Sequence, residues 1–254
     1  MNKQAILKNF SRCAEYYDFY SNIQNECAME LIRMFRNKNF QKILEPGCGT
    51  GNYTMILKNR FPDARITAFD LSPEMINRAR GKLNNDSVDF SVKDAEEPGL
   101  SGKFDLITSN AVFQWLEDIK NAFEKYKRLL VPEGVFAFSM FGPDTFKELQ
   151  KVLSICYKKD FSISAGCFMS ENEIRRILKS TFGHVYIFEE TIRIKYESLF
   201  HLLETIKYTG IRGDVKTGNL WTKNFLTAIQ NLYIEIFGGI MTTYQIFLCK
   251  TENK

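Results

Sequence analysis

The stretch Lys42-Ile43-Leu44-Glu45-Pro46-Gly47-Cys48-Gly49-Thr50-Gly51 packs an apolar run, an acid and three glycines into ten residues. Lys42–Leu44 has the composition of a short buried strand, and residues 52–60 behind the glycines carry a helical pattern. Such a loop belongs at the carboxyl end of the first strand of an open α/β sheet, where ligands bind. Glycines there accept positive φ and let a ligand approach backbone where a Cβ would clash. A dinucleotide fingerprint needs Gly-x-Gly-x-x-Gly; here Gly51 comes one residue early and Asn52 stands in the expected place. That spacing disfavours nicotinamide redox chemistry. Glu45, two residues before Gly47, would repel a pyrophosphate and attract a cationic amino group. The loop therefore suits a nucleoside carrying an amino acid.

Further acceptors follow at strand ends. Ala64–Asp70 reads as a second strand, and Asp70, 19 residues after Gly51, can accept both hydroxyls of a ribose. Ser72-Pro73-Glu74 then opens a helix, with a capping serine, proline at the first helical position and an acid in the first turn. Ser87–Lys93 is a third strand, after which Asp94 can take an adenine amino group. Phe104–Asn110 is a fourth, ending in Asn110 on the amino-acid side. A helix over 118–130 sets Ile119, Ala122, Phe123 and Tyr126 on one face; Val131-Pro132-Glu133-Gly134 stops it, and Val135–Phe141 is a fifth strand. A turn or a cap explains any one of these residues. Four acceptors at four consecutive strand ends, Glu45, Asp70, Asp94 and Asn110, make a constellation. Cys48 reads as a small loop filler, because no base adjoins it.

Strands alternating with helices predict an α/β fold: a Rossmann-like, doubly wound seven-stranded sheet with helices on both faces. Residues 4–20 and 24–37 read as two N-terminal helices. Helices are expected at 144–157, 171–181, 197–209 and 222–237, and strands at 184–195 and 241–250 that can pair at the sheet edge. The 254 residues divide, within one domain, into a helical cap (1–38), a cofactor-binding core (39–141) and a helical insertion before the last strand (196–240).

Composition excludes several classes. With 44% apolar and 25% charged residues the chain is an ordinary folded protein. The net charge of +4 is mild and no uninterrupted basic arm occurs, so nucleic acid is not an expected partner. The six cysteines are scattered, the nearest pair (Cys156 and Cys167) eleven positions apart, and only His184 and His201 could assist them as ligands; no metal is expected. Free thiols fit a reduced, cytoplasmic protein. No apolar run approaches the roughly 18 residues a membrane span needs.

These residues resemble motif I and its companions in class I S-adenosylmethionine-dependent methyltransferases, through ILEPGCGTG, AFDLSPEM, VKDAEEP, FDLITSNAVFQWL and VPEGVFAFSMFG. The resemblance implies S-adenosylmethionine as cofactor and S-adenosylhomocysteine as product. It adds Leu71, Met75, Ala95, Gln114 and Trp115 to a cofactor site that already holds Glu45, Gly47, Gly49, Gly51, Asp70, Asp94 and Asn110. Trp115 and Phe113 are expected to wall the space beside the methyl group.

A narrower likeness spans nearly the whole chain. FSRCAEYYDFYSNIQ, SNAVFQW, AFSMFGPDTFKELQ, FMSENEI and LLETIKYTGIRG are similar to malonyl-[acyl-carrier protein] O-methyltransferases of biotin synthesis. That likeness implies methylation of the free carboxylate of a malonyl thioester on an acyl-carrier protein, giving the methyl ester that starts pimeloyl synthesis. By position Tyr17 falls on a Tyr-Asp element that closes over cofactor and substrate, with Tyr16 beside it as the alternative; Lys207 falls on a Lys-x-Thr-Gly element. Lys207, Arg212, Tyr17 and Tyr208 are candidates to orient the acceptor carboxylate. Since a carboxyl with a pKa of about 4 is ionised at neutral pH, no general base is required. Arg175, Arg176 and Lys179 would suit an acidic carrier, and a monomer is expected. Rival readings are a methyltransferase acting on another small carboxylic acid or on nitrogen, and a non-catalytic assembly factor, against which the retained Glu45, Asp70 and Asp94 argue.

Overall fold

Side-chain alternation along the strands sorts the core into two layers, one on each face of a central sheet. The computed structural model describes residues 2–83, 87–158, 163–210 and 222–253. The strands are β1 (Lys42–Pro46), β2 (Arg65–Asp70), β3 (Val88–Val92), β4 (Phe104–Asn110), β5 (Leu130–Phe141), β6 (Tyr186–Tyr196) and β7 (Ile240–Glu252). Their spatial order is β3-β2-β1-β4-β5-β7-β6. β1 to β5 pair in parallel, whereas β7 runs antiparallel to both β5 and β6. β6 therefore runs in the same sense as β5, and its carboxyl end opens on the same edge of the sheet.

Helices α1 (Lys3–Cys13), α2 (Tyr17–Tyr20) and α3 (Asn22–Arg33) precede the sheet; α4 (Asn52–Arg60), α5 (Pro73–Lys82) and α6 (Ile119–Leu129) cross between strands. α7 (Lys147–Tyr157), α8 (Glu171–Phe182), α9 (Leu199–Tyr208) and α10 (Lys223–Phe237) follow. Ile43, Ile66, Leu106 and Val135 point to the layer holding α3 and α4. Their neighbours Leu44, Ile107 and Phe136 point to the layer holding α6 and α8. Successive residues of a strand face opposite sides, so these nearly continuous apolar runs are what a sheet covered on both faces requires. Burial at about 25 cal/mol per Å² of apolar surface makes these two layers the main source of stability.

Several boundaries differ from the sequence expectation by a few residues, α3 ending at Arg33 among them, and three of the differences have a tertiary reason. The helix expected over 4–20 breaks after Cys13: its thiol donates to the Lys207 carbonyl, and a turn closes from the Tyr16 N–H to the Cys13 carbonyl. The break turns Tyr16 toward Tyr208, their ring centroids 5.3 Å apart, and Tyr17 into the cavity described below. The helix expected from 144 starts at Lys147, because the Phe146 N–H first donates to the Thr243 carbonyl of β7 and Thr145 Oγ1 to that of Gln245. β5 begins at Leu130, five residues early, with its register shifted against β4 around Phe104.

Candidate functional site

The glycine loop is fixed from beneath. The N–H groups of Gly47 and Cys48 both donate to the Phe69 carbonyl, at 2.7 and 3.0 Å, which ties the loop to β2. Gly47, Gly49 and Gly51 all take positive φ (70°, 54° and 84°). Their roles separate. A Cβ on Gly47 would fall 2.4 Å from Cγ2 of Val112, while one on Gly49 would meet nothing within 4 Å, so the chain stays bare where Gly49 borders the cavity. A Cβ on Gly51 would crowd Ala79 of α5 at 3.1 Å. Gly51 caps α4 and lets two helices approach; it does not line the cavity.

That cavity, about 710 Å³ counted to its open mouth, lies along the carboxyl ends of β1 to β4. Asp70, half-buried on its wall, accepts from the Gly49 N–H at 2.9 Å through Oδ2 and from the Ser72 N–H at 2.8 Å through Oδ1. A carboxylate has about four acceptor positions, so Asp70 keeps capacity for a ligand beyond these bonds. Burial raises the Asp70 pKa, and the backbone N–H groups oppose that rise. Leu71 and Met75 continue the wall as an apolar patch. Asp94 and Ala95 close its far end. Asp94 accepts from the Glu96 N–H at 2.9 Å and from Lys3 Nζ at 2.7 Å. Lys3 also bonds Glu96, which caps the chain after Trp115 by accepting from the Asp118 N–H at 2.7 Å.

The fourth strand end departs from expectation. Asn110 lines the cavity, yet its amide is committed: Nδ2 donates to the Gln24 carbonyl at 2.8 Å, and Oδ1 accepts from Ser139 Oγ at 2.6 Å. It braces α3 against β4 and β5. Ala111 beside it holds φ at 56°, a left-handed conformation costing on the order of 1 kcal/mol in a non-glycine residue; two bonds from its N–H, to the Ser139 carbonyl and to Ser139 Oγ, hold it there.

Glu45, Gln114 and Phe113 sit off the wall. Glu45 is buried beneath the loop, its Oε2 without a hydrogen-bond partner among the described residues; burial, opposed by the Thr54 hydroxyl and assisted by the charge of Asp70, pushes its pKa up to about 8. Gln114 is likewise buried, Nε2 donating to the Ala111 carbonyl and Oε1 without a partner among the described residues. Trp115 borders the cavity and packs edge-on against Phe168. Phe113 does not: it is core, in contact with Phe123 and Phe138. Cys48 is buried and its thiol pKa is raised by burial, as befits a filler.

Of the two tyrosines, Tyr17 faces the cavity while Tyr16 is exposed and packs on Tyr208. Lys207 is exposed on α9, its ammonium 4.5 Å above the Tyr208 ring, and does not line the cavity. Arg212 lies outside the described residues.

The structure also brings in residues the sequence did not single out. Lys3, Ile6 and Phe10 of α1 roof the cavity; the amphipathic pattern of α1 says that it packs, not what it covers. Asp18 fastens α2 to the glycine loop, accepting from Thr50 Oγ1 at 2.6 Å and Asn52 Nδ2 at 3.1 Å and pairing with Lys82. The Tyr-Asp pairing in the sequence was the available signal for it.

The residues present fit a nucleoside carrying an amino acid: bare glycine backbone, a carboxylate with free lone pairs, an apolar patch, a second carboxylate and an orphaned buried acid under the loop. Among the described residues no group of His, Cys, Asp or Glu could hold a metal ion, and no helix is long and apolar enough to cross a membrane.

Comparison with known proteins agrees with this geometry. A methyltransferase-domain family profile matches residues 44–138. The YcgJ protein of Bacillus subtilis superposes with a TM-score of 0.62 at 16% identity, over 90% of this chain and 98% of that one. The N-methyltransferase NodS of Bradyrhizobium japonicum, solved with S-adenosyl-L-homocysteine, gives 0.59 at 16% identity, over 98% of each chain. Those likenesses establish the fold. A malonyl-[acyl-carrier protein] O-methyltransferase of Acetivibrio thermocellus is 33% identical over 270 residues, 100% of this chain and 95% of the relative. At that identity over essentially the whole length, the chain belongs to the malonyl-[acyl-carrier protein] O-methyltransferase family.

Proposed function

We propose that the chain transfers a methyl group from S-adenosylmethionine to the free carboxylate of a malonyl thioester carried by an acyl-carrier protein, in the cytoplasm. The observation that carries this reading is the meeting, in one cavity, of the Gly47 and Gly49 backbone with the carboxylates of Asp70 and Asp94, in a chain akin to such enzymes from end to end.

Asp70 would hold the ribose hydroxyls, Asp94 and Ala95 the adenine end, and Leu71 and Met75 the faces between. The glycine loop, with Glu45 beneath it, would hold the amino-acid end. S-adenosylmethionine supplies an electrophilic sulfonium methyl. The acceptor carboxylate is already ionised, its pKa being about 4, so the protein needs no base, and among the described residues no histidine lines the cavity. What remains is placement and exclusion of water. Tyr17, whose hydroxyl stays neutral because burial and the nearby Asp70 and Asp18 raise its pKa, can orient the acceptor without forming an ion pair that would blunt its nucleophilicity. Trp115 would shape the wall beside the reacting groups, with Gln114 behind it holding the Ala111 carbonyl. On the outer surface Arg175 is paired with Glu171, which leaves Arg176 and Lys179 of α8 as the cations offered to an acidic carrier.

Incubating the protein with S-adenosylmethionine and malonyl-carrier, malonyl-pantetheine or free dicarboxylates, with mass-spectrometric detection of the methyl ester, tests the reaction. Ester on the thioesters alone supports the reading; methylation of free dicarboxylates at equal efficiency replaces it with a general small-acid methyltransferase. Reversing Arg176 and Lys179 to Glu should raise KM for the carrier-borne substrate and leave malonyl-pantetheine unaffected.

A further inference from the structure

A second cavity, about 560 Å³ counted to its mouth, opens on the same edge of the sheet as the first. Its floor is the carboxyl end of β6, at Tyr196, with Tyr244 of β7; its roof is α9. The wall toward the cofactor cavity is the α2–α3 segment. Tyr17 lines the first cavity, Tyr20 and Gln24 the second, and the Gln24 carbonyl holds the amide of Asn110, itself on the wall of the first.

The chemistry of the two differs. Among the described residues no carboxylate lines the second cavity, whereas Lys195 and His201, both exposed, stand at it. Lys195 places a cation at the mouth, and Glu204 acts on Tyr20 from beside it, so the charge there is mixed and the carboxylate end of an acceptor is left to Tyr17 on the cofactor side. Inside, the buried hydroxyls of Tyr196 and Tyr244 lie 2.7 Å apart. Two hydroxyls carry two protons and the bond between them uses one; the other can turn to Thr205 or to an acyl oxygen. Phe19, Ile23 and Ile194 give the pocket an apolar side, and the buried hydroxyls beside them can fix the orientation of what enters it.

We propose that this second cavity takes the acceptor: a short acyl thioester bearing a free carboxylate, together with the first part of its pantetheine arm. The Tyr17–Gln24 segment then sets where the acceptor meets the cofactor, and Tyr196, Tyr244 and Lys195 determine which acyl group is accepted. The inference rests on the methyl-transfer reading for the identity of the acceptor, and deepens it.

Calorimetric titration of the S-adenosylhomocysteine-saturated protein with malonyl-pantetheine measures acceptor binding without turnover. Tyr244→Phe removes one hydroxyl and keeps the ring that packs on Phe146; Lys195→Glu reverses a charge on an exposed side chain and does not threaten folding. Each is expected to weaken malonyl-pantetheine binding tenfold or more while the affinity for S-adenosylhomocysteine stays within twofold. Binding equal to wild type in both variants, or none to wild type itself, overturns the assignment. The turnover assay is separate: a wild-type protein that binds malonyl-pantetheine with this variant pattern but forms no ester refutes the methyl-transfer reading and leaves the cavity assigned.

Discussion

Over β1, β2 and β3 the ligand-bearing edge offers backbone and carboxylates; over β6 and β7 it offers aromatic hydroxyls, a lysine and a histidine. The first set comes from a continuous βαβαβ stretch, in which Gly47, Asp70 and Asp94 each end or follow a parallel strand. The second is assembled from α2, α9 and an antiparallel pair, so that Tyr20 meets Tyr208 with centroids 4.8 Å apart and Tyr196 meets Tyr244 across 48 residues. A cofactor shared by many enzymes can be held by main chain and strand-end acids, which tolerate wide sequence change elsewhere. An acceptor particular to one reaction needs side chains, and these are free to vary with the substrate.

If that division is right, the halves should fail differently. Asp70→Ala should have the largest effect: it removes a ligand acceptor and the partner of two N–H groups, and hydrogen bonds to charged groups are worth about 1.5–3 kcal/mol each. S-adenosylhomocysteine affinity should fall by about 10²- to 10³-fold in calorimetry. A loss under tenfold would mean that the acid edge is not where the cofactor binds. Glu148→Ala comes next and lies in the other half. Its buried carboxylate accepts from the N–H and the hydroxyl of Thr243, at 2.9 and 2.5 Å, and thereby pins α7 to β7. Removing it should cost about 2–4 kcal/mol of stability in denaturant unfolding while cofactor affinity at 20 °C stays within twofold. Were that affinity to collapse too, the halves would not be separable.

The same division governs what could be read from the sequence. The parallel core was legible because each strand there is a short apolar run with a capped helix behind it: Ser72 does accept from the Met75 N–H, and Pro73 does open α5. Asp70 and Asp94 follow from strand ends. Lys207 did not come out as a wall residue, because a side chain on an amphipathic helix turns according to its partners, and its partner is Tyr208. Tyr16 and Tyr17 are adjacent and chemically identical; only the break after Cys13 decides which one enters the cavity. Phe113 and Trp115 are two apart in a single turn, yet one joins the aromatic core and the other the wall.

Glu45 sharpens the comparison through pH. Burial holds its carboxyl protonated up to about pH 8 in the folded protein, whereas the unfolded chain releases that proton near 4.3. Between those values the folded state binds more protons than the unfolded, so this group's contribution to stability falls as pH rises through the window. Glu45→Gln should flatten that slope and exceed wild type in Tm at pH 8.5. A cationic amino group arriving over the loop would ionise the acid, so S-adenosylhomocysteine binding at pH 7 should release up to one proton. That release would appear as a difference in calorimetric enthalpy between phosphate and Tris buffers, abolished in Glu45→Gln. Buffer-independent enthalpy would show that Glu45 is a buried support under the loop and not a ligand contact.

The smallest expected effect tests the roof. Lys3 spans Asp94 and Glu96 from the first turn of α1, with its side chain 38% exposed, so solvent screens the pairs and such bridges are worth about 0.2–1 kcal/mol. If Lys3 latches α1 over the cofactor, Lys3→Met should speed dissociation and weaken S-adenosylhomocysteine by about two- to fivefold at low salt, with the difference shrinking at 0.5 M salt as charges are screened. Asp94 has a second possible partner in the ligand itself. Tighter binding by Lys3→Met would mean that the lysine competes for the Asp94 carboxylate and must leave before the adenine end can settle. α1 would then be a gate that the ligand opens, and the cofactor half too would depend on a contact between residues far apart in the chain.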